Sequence, residues 1–323
     1  MSTAPFVIQP RLTAVALTYR NLDLVADLIL PRLRVDSPQF KWSKYTLADG
    51  FTIPDTRVGR KSGTNQIDWT ASEQADAVVD YGLEDAIPNF DILAAQASQA
   101  VQGVQPIDPE IRSAQLLEDL VQLDRENRVA TLMTTLGTYP SANRTTLSGT
   151  SQWSDFSNSD PVQAILTALD VPVMRPNVLW MGQAVWTKFR SHPKVTAAIV
   201  SMGGNASVGG SVVSREAVAA LFELDEVIIG KSFLNSAKPG QTASLARTWG
   251  KHAGLIYRSP NLVAPTNNIT FGFTAQWGDK VAGTIADAPN VGLRGGRIIR
   301  VGESVKEVVA ASDVSYFFQN AVA

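Results

Sequence analysis

Residues 149–195 read G-T-S-Q-W-S-D-F-S-N-S-D-P-V-Q-A-I-L-T-A-L-D-V-P-V-M-R-P-N-V-L-W-M-G-Q-A-V-W-T-K-F-R-S-H-P-K-V. Asp160 can accept from the free N–H groups of a first helical turn, and Pro161 suits the first helical position. Val162, Ile165, Leu166 and Leu169 then recur at helical spacing, which predicts one buried face. Pro172 and Pro176 bracket a turn. Val178–Met181 reads as a short buried strand. Gln183 to Ser191 reads as a helix that buries Val185 and Phe189 and is stopped by Pro193. The stretch carries no recognisable catalytic constellation. Its signature is an order of elements: loop, capped helix, short strand, helix.

Upstream, Asp108-Pro109-Glu110 opens the longest predicted helix, ended at Gly137. Leu116, Leu120, Leu123 and Ala130 form its apolar stripe, widened by Leu117 and Val121. Asp124 and Arg128 form an i,i+4 pair. At ~1.5 Å per residue this helix is roughly 40 Å long, the length of a strut. Residues 87–105 read as a second helix. Phe40, Trp42, Tyr45, Leu47, Phe51 and Ile53, then Ile67 and Trp69, flank a middle punctuated by Pro54, Gly59 and Gly63. This predicts a long antiparallel hairpin over 40–78. Its tip, Arg57-Val-Gly-Arg60-Lys61, is basic, and the stretch after it (Asp68, Glu73, Asp76, Asp80, Glu84, Asp85) is acidic. Residues 1–39 read as an extended arm with a short helix at Leu22, Val25, Ala26, Ile29 and Leu30.

Downstream, Gly203–Gly210 is a small-residue loop, and Ser214 caps a helix to Phe222. Val227-Ile-Ile is a buried strand followed by a polar loop to Ser244. The rest alternates strand-like runs with turns: Leu255-Ile-Tyr, Ile269-Thr-Phe, Arg297 to Val301, Glu303 to Val309 and Val314 to Phe318.

The 323 residues, 45% hydrophobic and 18% charged, describe a globular chain able to bury a sizeable core. A net charge of −2 gives no global footprint for nucleic-acid binding. The absence of cysteine excludes disulfides and zinc-thiolate sites. The N-terminus lacks the zones of a signal peptide, and no apolar run reaches the ~20 residues of a membrane span.

The searches for chemistry end negatively. Gly230-Lys231-Ser232 resembles the end of a phosphate loop, but the position that needs glycine is Asp225. Gly203–Gly210 does not fit the dinucleotide pattern. His192 stands at a helix end, where an imidazole can bond terminal carbonyls, and His252 has no carboxylates at metal-ligand spacing. Trp153, Trp180, Trp186, Trp249 and Trp277 read as core and interface anchors. No enzyme activity, metal or cofactor is expected.

The ordered series W-S-D (153–155), S-D-P (159–161), R-P-N (175–177) with L-W-M-G, V-W-T-K-F-R-S-H-P-K-V (185–195) and L-F-E-L-D-E-V-I-I-G-K-S-F-L-N-S-A-K-P-G (221–240) resembles tailed-bacteriophage major capsid proteins of the Hong Kong-97-type fold. Trp249-Gly250 and Tyr257 continue the likeness, which covers roughly 40–320. The resemblance implies an α+β fold. Residues 1–39 would be the N-terminal arm, 40–78 the E-loop hairpin and 79–158 a peripheral domain with its spine helix. Residues 159–285 would be the axial domain, and 286–323 strands returning to the peripheral sheet. It implies a virion shell protein, assembled in the host cytoplasm. Pentamers and hexamers of the chain would build an icosahedral shell around double-stranded DNA, held without sequence-specific contact. A portal, a separate scaffolding protein and a decoration protein are the implied partners, and no membrane is. Arg57, Arg60 and Lys61 on the tip, with Asp76 and Glu84 beyond it, are the candidate subunit-interface residues. Two rivals stand beside this reading: an encapsulin-like nanocompartment shell and a soluble enzyme of unrecognised type.

Overall fold

Two five-stranded sheets, joined by one long helix, organise the chain. The structure is a computed structural model and describes residues 7–8, 23–45, 53–60, 62–66, 71–102, 108–201, 213–238, 240–260 and 269–323. The first sheet is built on two long antiparallel strands, β12 (Gly272–Ala288) and β13 (Gly296–Val309). β5 (Val79–Pro88) pairs antiparallel with β13 and forms one edge. On the other side of β12 lie β1 (Val7–Ile8, antiparallel) and β2 (Arg32–Val35, parallel). The second sheet has the order β6 (Arg144–Thr146), β14 (Ser315–Gln319), β11 (Ala253–Ile256), β7 (Val178–Gly182), β8 (Glu226–Gly230).

β7 is buried at all five positions because both faces of the second sheet are covered. Leu179, Met181, Leu255, Ile229 and Phe318 point to one core. That core is closed by α4 (Pro161–Leu169), α5 (Gln183–Phe189), α6 (Pro193–Ser201) and α7 (Arg215–Phe222). Val178, Trp180, Ile228, Ile256 and Phe317 point to a second core, shared with the short helix α1 (Ala26–Ile29) and the end of α3 (Pro109–Thr134). The helix expected at 87–105 is α2 (Asn89–Gln102). The alternation is the period-2 geometry of a strand. Gly230 and Gly254 are fixed by this core: a Cβ at the first would overlap the Trp249 ring, and at the second the Trp180 ring.

The long helix opens as predicted, with Asp108 accepting from the Glu110 amide at 3.0 Å and Pro109 at the first position. It ends at Thr134, where Thr135 turns extended, and Gly137 lies in a short 3-10 turn, Leu136–Thr138, beyond it. Its buried face differs from the predicted stripe. Ala114 and Leu117 pack with Ile87, Ala282, Ile299 and Val301 on the first sheet. Val129, Ala130 and Met133 belong to the second core. At 3.6 residues per turn the two patches differ in direction by roughly a third of a turn. Leu116 and Leu120 point away from the first patch and are exposed. One helix serving two sheets cannot follow one stripe.

Several other expectations change. Pro193 opens α6 rather than only stopping α5. His192 bonds no helix-terminal carbonyl through its ring; its Nδ1 accepts from the Lys194 amide at 3.2 Å, and Ser159 Oγ lies 3.1 Å from Nε2. Leu166 of α4 is exposed, and Ala168 takes its place in the buried set. The runs at 297–301 and 303–309 are one strand, β13. Ile269 and Thr270 precede β12 rather than form a strand. The boundary expected at 285/286 falls inside β12, and β14 joins the second sheet rather than returning with β13 to the first, because its Phe317 and Phe318 fill the two cores there. The polar loop after β8 contains a two-stranded ribbon, β9 (Phe233–Asn235) with β10 (Leu245–Arg247). The small-residue loop at 203–210, Leu22, Leu47, Phe51, Ile67 and Trp69 lie outside the described residues.

Candidate assembly surfaces

The predicted hairpin has a regular base. β3 (Gln39–Tyr45) and β4 (Ala71–Ala77) pair antiparallel, from Gln39↔Ala77 to Tyr45↔Ala71. Phe40 and Trp42 anchor it, buried with Leu33, Val35, Phe273, Ala275 and Val308. Beyond the paired strands, residues 53–60 and 62–66 carry no regular strand and are exposed, Ile53 at 93%. Local hydrogen bonds shape this segment. Asp55 Oδ1 accepts from the Arg57 amide at 2.9 Å, Asn65 donates to the Asp55 carbonyl at 2.7 Å, and Ser62 closes a turn onto the Gly59 carbonyl.

Arg57 and Arg60 are therefore exposed on a segment far in sequence from the anchored base, while Lys61 lies outside the described residues. The acidic candidates sit elsewhere. Asp76 lies in β4, 3.6 Å from Lys306, and Glu84 lies in β5, bonded to Arg300. Asp80 accepts from Ser304 and Asp85 from Ser113. Asp76, on the β3–β4 ribbon, and Asp80, Glu84 and Asp85, on the first sheet, are therefore engaged within the chain, while Asp68 lies outside the described residues. The structure does not bring these four to Arg57 and Arg60.

The sequence reading missed the fastening of residues 23–35. Glu126, fully buried in α3, accepts from the amides of Val25 (2.9 Å) and Ala26 (2.7 Å), from Ser232 Oγ (3.2 Å) and from Trp249 Nε1 (2.6 Å). The neighbouring Arg125 bonds Asp27, the Leu30 carbonyl and Thr274. Arg32 joins Asp27 to the buried Glu303. Burial pushes the Glu126 carboxyl above its ordinary range, against the pull of its four donors. Ser232, read above as the end of a would-be phosphate loop, is one of those donors. Charged residues in mid-helix look like a solvated face in sequence, so only the partner segment reveals them.

Trp153, Trp180, Trp186 and Trp249 are buried, as core anchors should be. His252 accepts from the Asn320 amide at 3.2 Å. Among the described residues no group of three His, Cys, Asp or Glu is placed to hold a metal ion. None of the described helices is long and apolar enough to cross a membrane.

No protein-family model matches the chain. The major capsid protein of Pseudomonas phage JBD67 is 44% identical over 324 residues, covering 100% of both chains. Among solved structures, a phage-related protein from Bordetella bronchiseptica RB50 superposes with a TM-score of 0.75 at 22% identity, over 98% of this chain and 99% of that one. The capsid structure of the cyanophage P-SCSP1u matches with a TM-score of 0.57 at 12% identity, over 99% and 92%. The two structures share the mixed α+β fold, and the full-length relative carries the family. The chain belongs to the phage major capsid proteins.

Proposed function

We propose that many copies of this chain assemble through pentamers and hexamers into the icosahedral head shell that encloses the double-stranded DNA of a phage. The supporting observation is the 44% identity to a phage major capsid protein along the whole chain. That relationship favours the phage reading over a nanocompartment or an enzyme. The chain's place is then the virion capsid, reached by assembly in the host cytoplasm. A scaffolding protein, a portal and a decoration protein are its proposed partners.

Within that reading the parts have mechanical roles. Residues 1–39 act as the N-terminal arm, and the β3–β4 ribbon with its exposed end acts as the E-loop. α3 acts as the spine helix linking peripheral and axial parts. Repeated contacts let each one be weak, since a subunit held by several neighbours gains from their combined effective concentration. Arg57, Arg60 and Lys61 are proposed to meet acidic groups of a neighbouring copy. Asp76 and Glu84 are the weaker candidates there, because each already has a cation of its own chain.

Size-exclusion chromatography with negative-stain electron microscopy tests the reading. Capsomers or shells are expected, from the chain alone or with a scaffolding protein. A stable monomer or dimer under all these conditions contradicts it. Charge reversal at Arg60 and Lys61 is expected to impair assembly while leaving thermal unfolding unchanged. Normal particles from that variant would remove the tip's role alone.

A further inference from the structure

The two ends of the parallel pair β7–β8 carry opposite charge. The turn at 170–177 leads into β7, and Glu223–Asp225 leads into β8, so both lie at the strands' starting end. Exposed Val171 and Val173 stand there beside exposed Asp170 and Glu223, whose side chain is 82% exposed. Glu223 lies 3.4 Å from Arg175 of the 170–177 turn, Asp225 is bonded by Asn177 and Glu226 by Arg258. These four acids, Asp170 included, face two arginines, so this end stays net acidic.

The β9–β10 ribbon follows Gly230 at the other end, about 16 Å away along five-residue strands. The sequence from Val227 to Gly278 contains no Asp or Glu, while Lys231, Lys238, Arg247, Lys251 and Arg258 are basic. Of these, Arg258 belongs to the acidic end, because β11 runs antiparallel to β7 with Ile256 opposite Val178, and Lys231 lies 3.9 Å from Asp23. Register puts Arg247 opposite Phe233, and its guanidinium lies 4.5 Å from the ring centroid. Leu245, on the same face of the ribbon, is 70% exposed. Such a face, an aromatic and a leucine with cations around them, suits an apolar surface edged with carboxylates.

We propose that the β9–β10 ribbon of one copy docks, through Phe233, Leu245, Lys238 and Arg247, on the Val171/Val173 turn of the next copy, beside its Asp170 and Glu223. The occupant is a second copy because this chain carries the complementary charge and apolar pair at the opposite end of the same two strands. A contact between unlike ends is heterologous, and heterologous contacts build rings when the rotation closes. The proposal rests on the shell reading above and adds to it which surfaces meet within a ring.

The absence of cysteine makes a clean test. The full chain with Leu245→Cys and Val173→Cys is assembled, oxidised and run on a non-reducing gel. A ladder extending beyond the dimer, removed by reductant, is expected; each single-cysteine chain should stop at the dimer. Particles that sediment as shells but give no ladder, or one ending at the dimer, overturn the contact and leave the shell reading intact. An unsubstituted chain that never exceeds a dimer contradicts both.

Charge reversal gives a second readout. Lys238→Glu with Arg247→Glu is expected to lower shell yield at least ten-fold at unchanged thermal unfolding. Adding Asp170→Lys and Glu223→Lys should restore at least half of it. Failure of that restoration counts against the pairing. A ribbon variant that builds normal shells and loses only enclosed DNA would make the ribbon a nucleic-acid surface and overturn the proposal.

Discussion

Glu126 ties four donors from three separate segments to the middle of α3. Its carboxylate takes hydrogen bonds from residues 25 and 26, from Ser232 after β8, and from Trp249 before β11. Glu126→Ala leaves these buried donors without an acceptor, and each unmet group costs about 1–3 kcal/mol. A loss above about 3 kcal/mol is expected in urea unfolding of the subunit; a loss below 1 would contradict the role. Glu126→Gln keeps the shape but turns an N–H toward some of the donors, so its loss should be intermediate. Asp27 adds a pH dependence. Burial alone would raise its carboxyl, but the Arg125 and Arg32 guanidiniums beside it hold it below the ordinary value. A carboxyl lowered by folding contributes stability above its unfolded value, near 3.9, and loses that contribution as pH falls through the folded value. Protection of residues 26–35 against hydrogen exchange, measured relative to the intrinsic exchange rate at each pH, should therefore fall in acid, and Asp27→Asn should remove much of that acid response. An unchanged response in Asp27→Asn would contradict the assignment. None of this was legible in sequence, because Asp27, Arg125 and Glu303 are far apart along the chain and each alone looks like a surface charge.

At the scale of elements, α3 separates what sequence conveys from what it does not. Its start was legible because capping is local: Asp108 and Pro109 act on the first turn whatever the helix packs against. The same holds for Asp160 at α4 and Ser214 at α7, which accept from Gln163 and Ala217. Its buried face was not legible, because the two sheets it bridges lie in different directions. Adjacent leucines give the test. Leu117→Ala removes a buried side chain and should cost about 2–4 kcal/mol. Leu116→Ala, 55% exposed, should change subunit stability by less than about 1 kcal/mol. Equal losses in urea unfolding would contradict the observed orientation. The β9–β10 ribbon escaped the sequence reading for a related reason. Its strands are three residues each and face solvent, so they carry no burial pattern.

At the scale of the whole molecule, the order of elements was more legible than their grouping. The base of the hairpin, the long helix and the capped helices after it follow the chain in the expected order, and local signals marked each one. The sheets are assembled from distant segments: β5 joins β12 and β13, and β14 joins β6, β7, β8 and β11. Long-range pairing of this kind leaves little trace in local periodicity. The candidate surface was partly legible, since the basic tip is exposed as expected at Arg57 and Arg60. The engagement of Asp76 and Glu84 within their own chain was not. An anchored β3–β4 ribbon with exposed residues 53–60 and 62–66 beyond it, and a helix bridging two sheets, suit the proposed tile that meets several neighbours. Electron cryomicroscopy of particles assembled from the full chain, with its scaffolding protein where required, tests that account most directly. It predicts a closed icosahedral shell in which this fold repeats around five-fold and six-fold positions. A small discrete oligomer with no closed shell would contradict it.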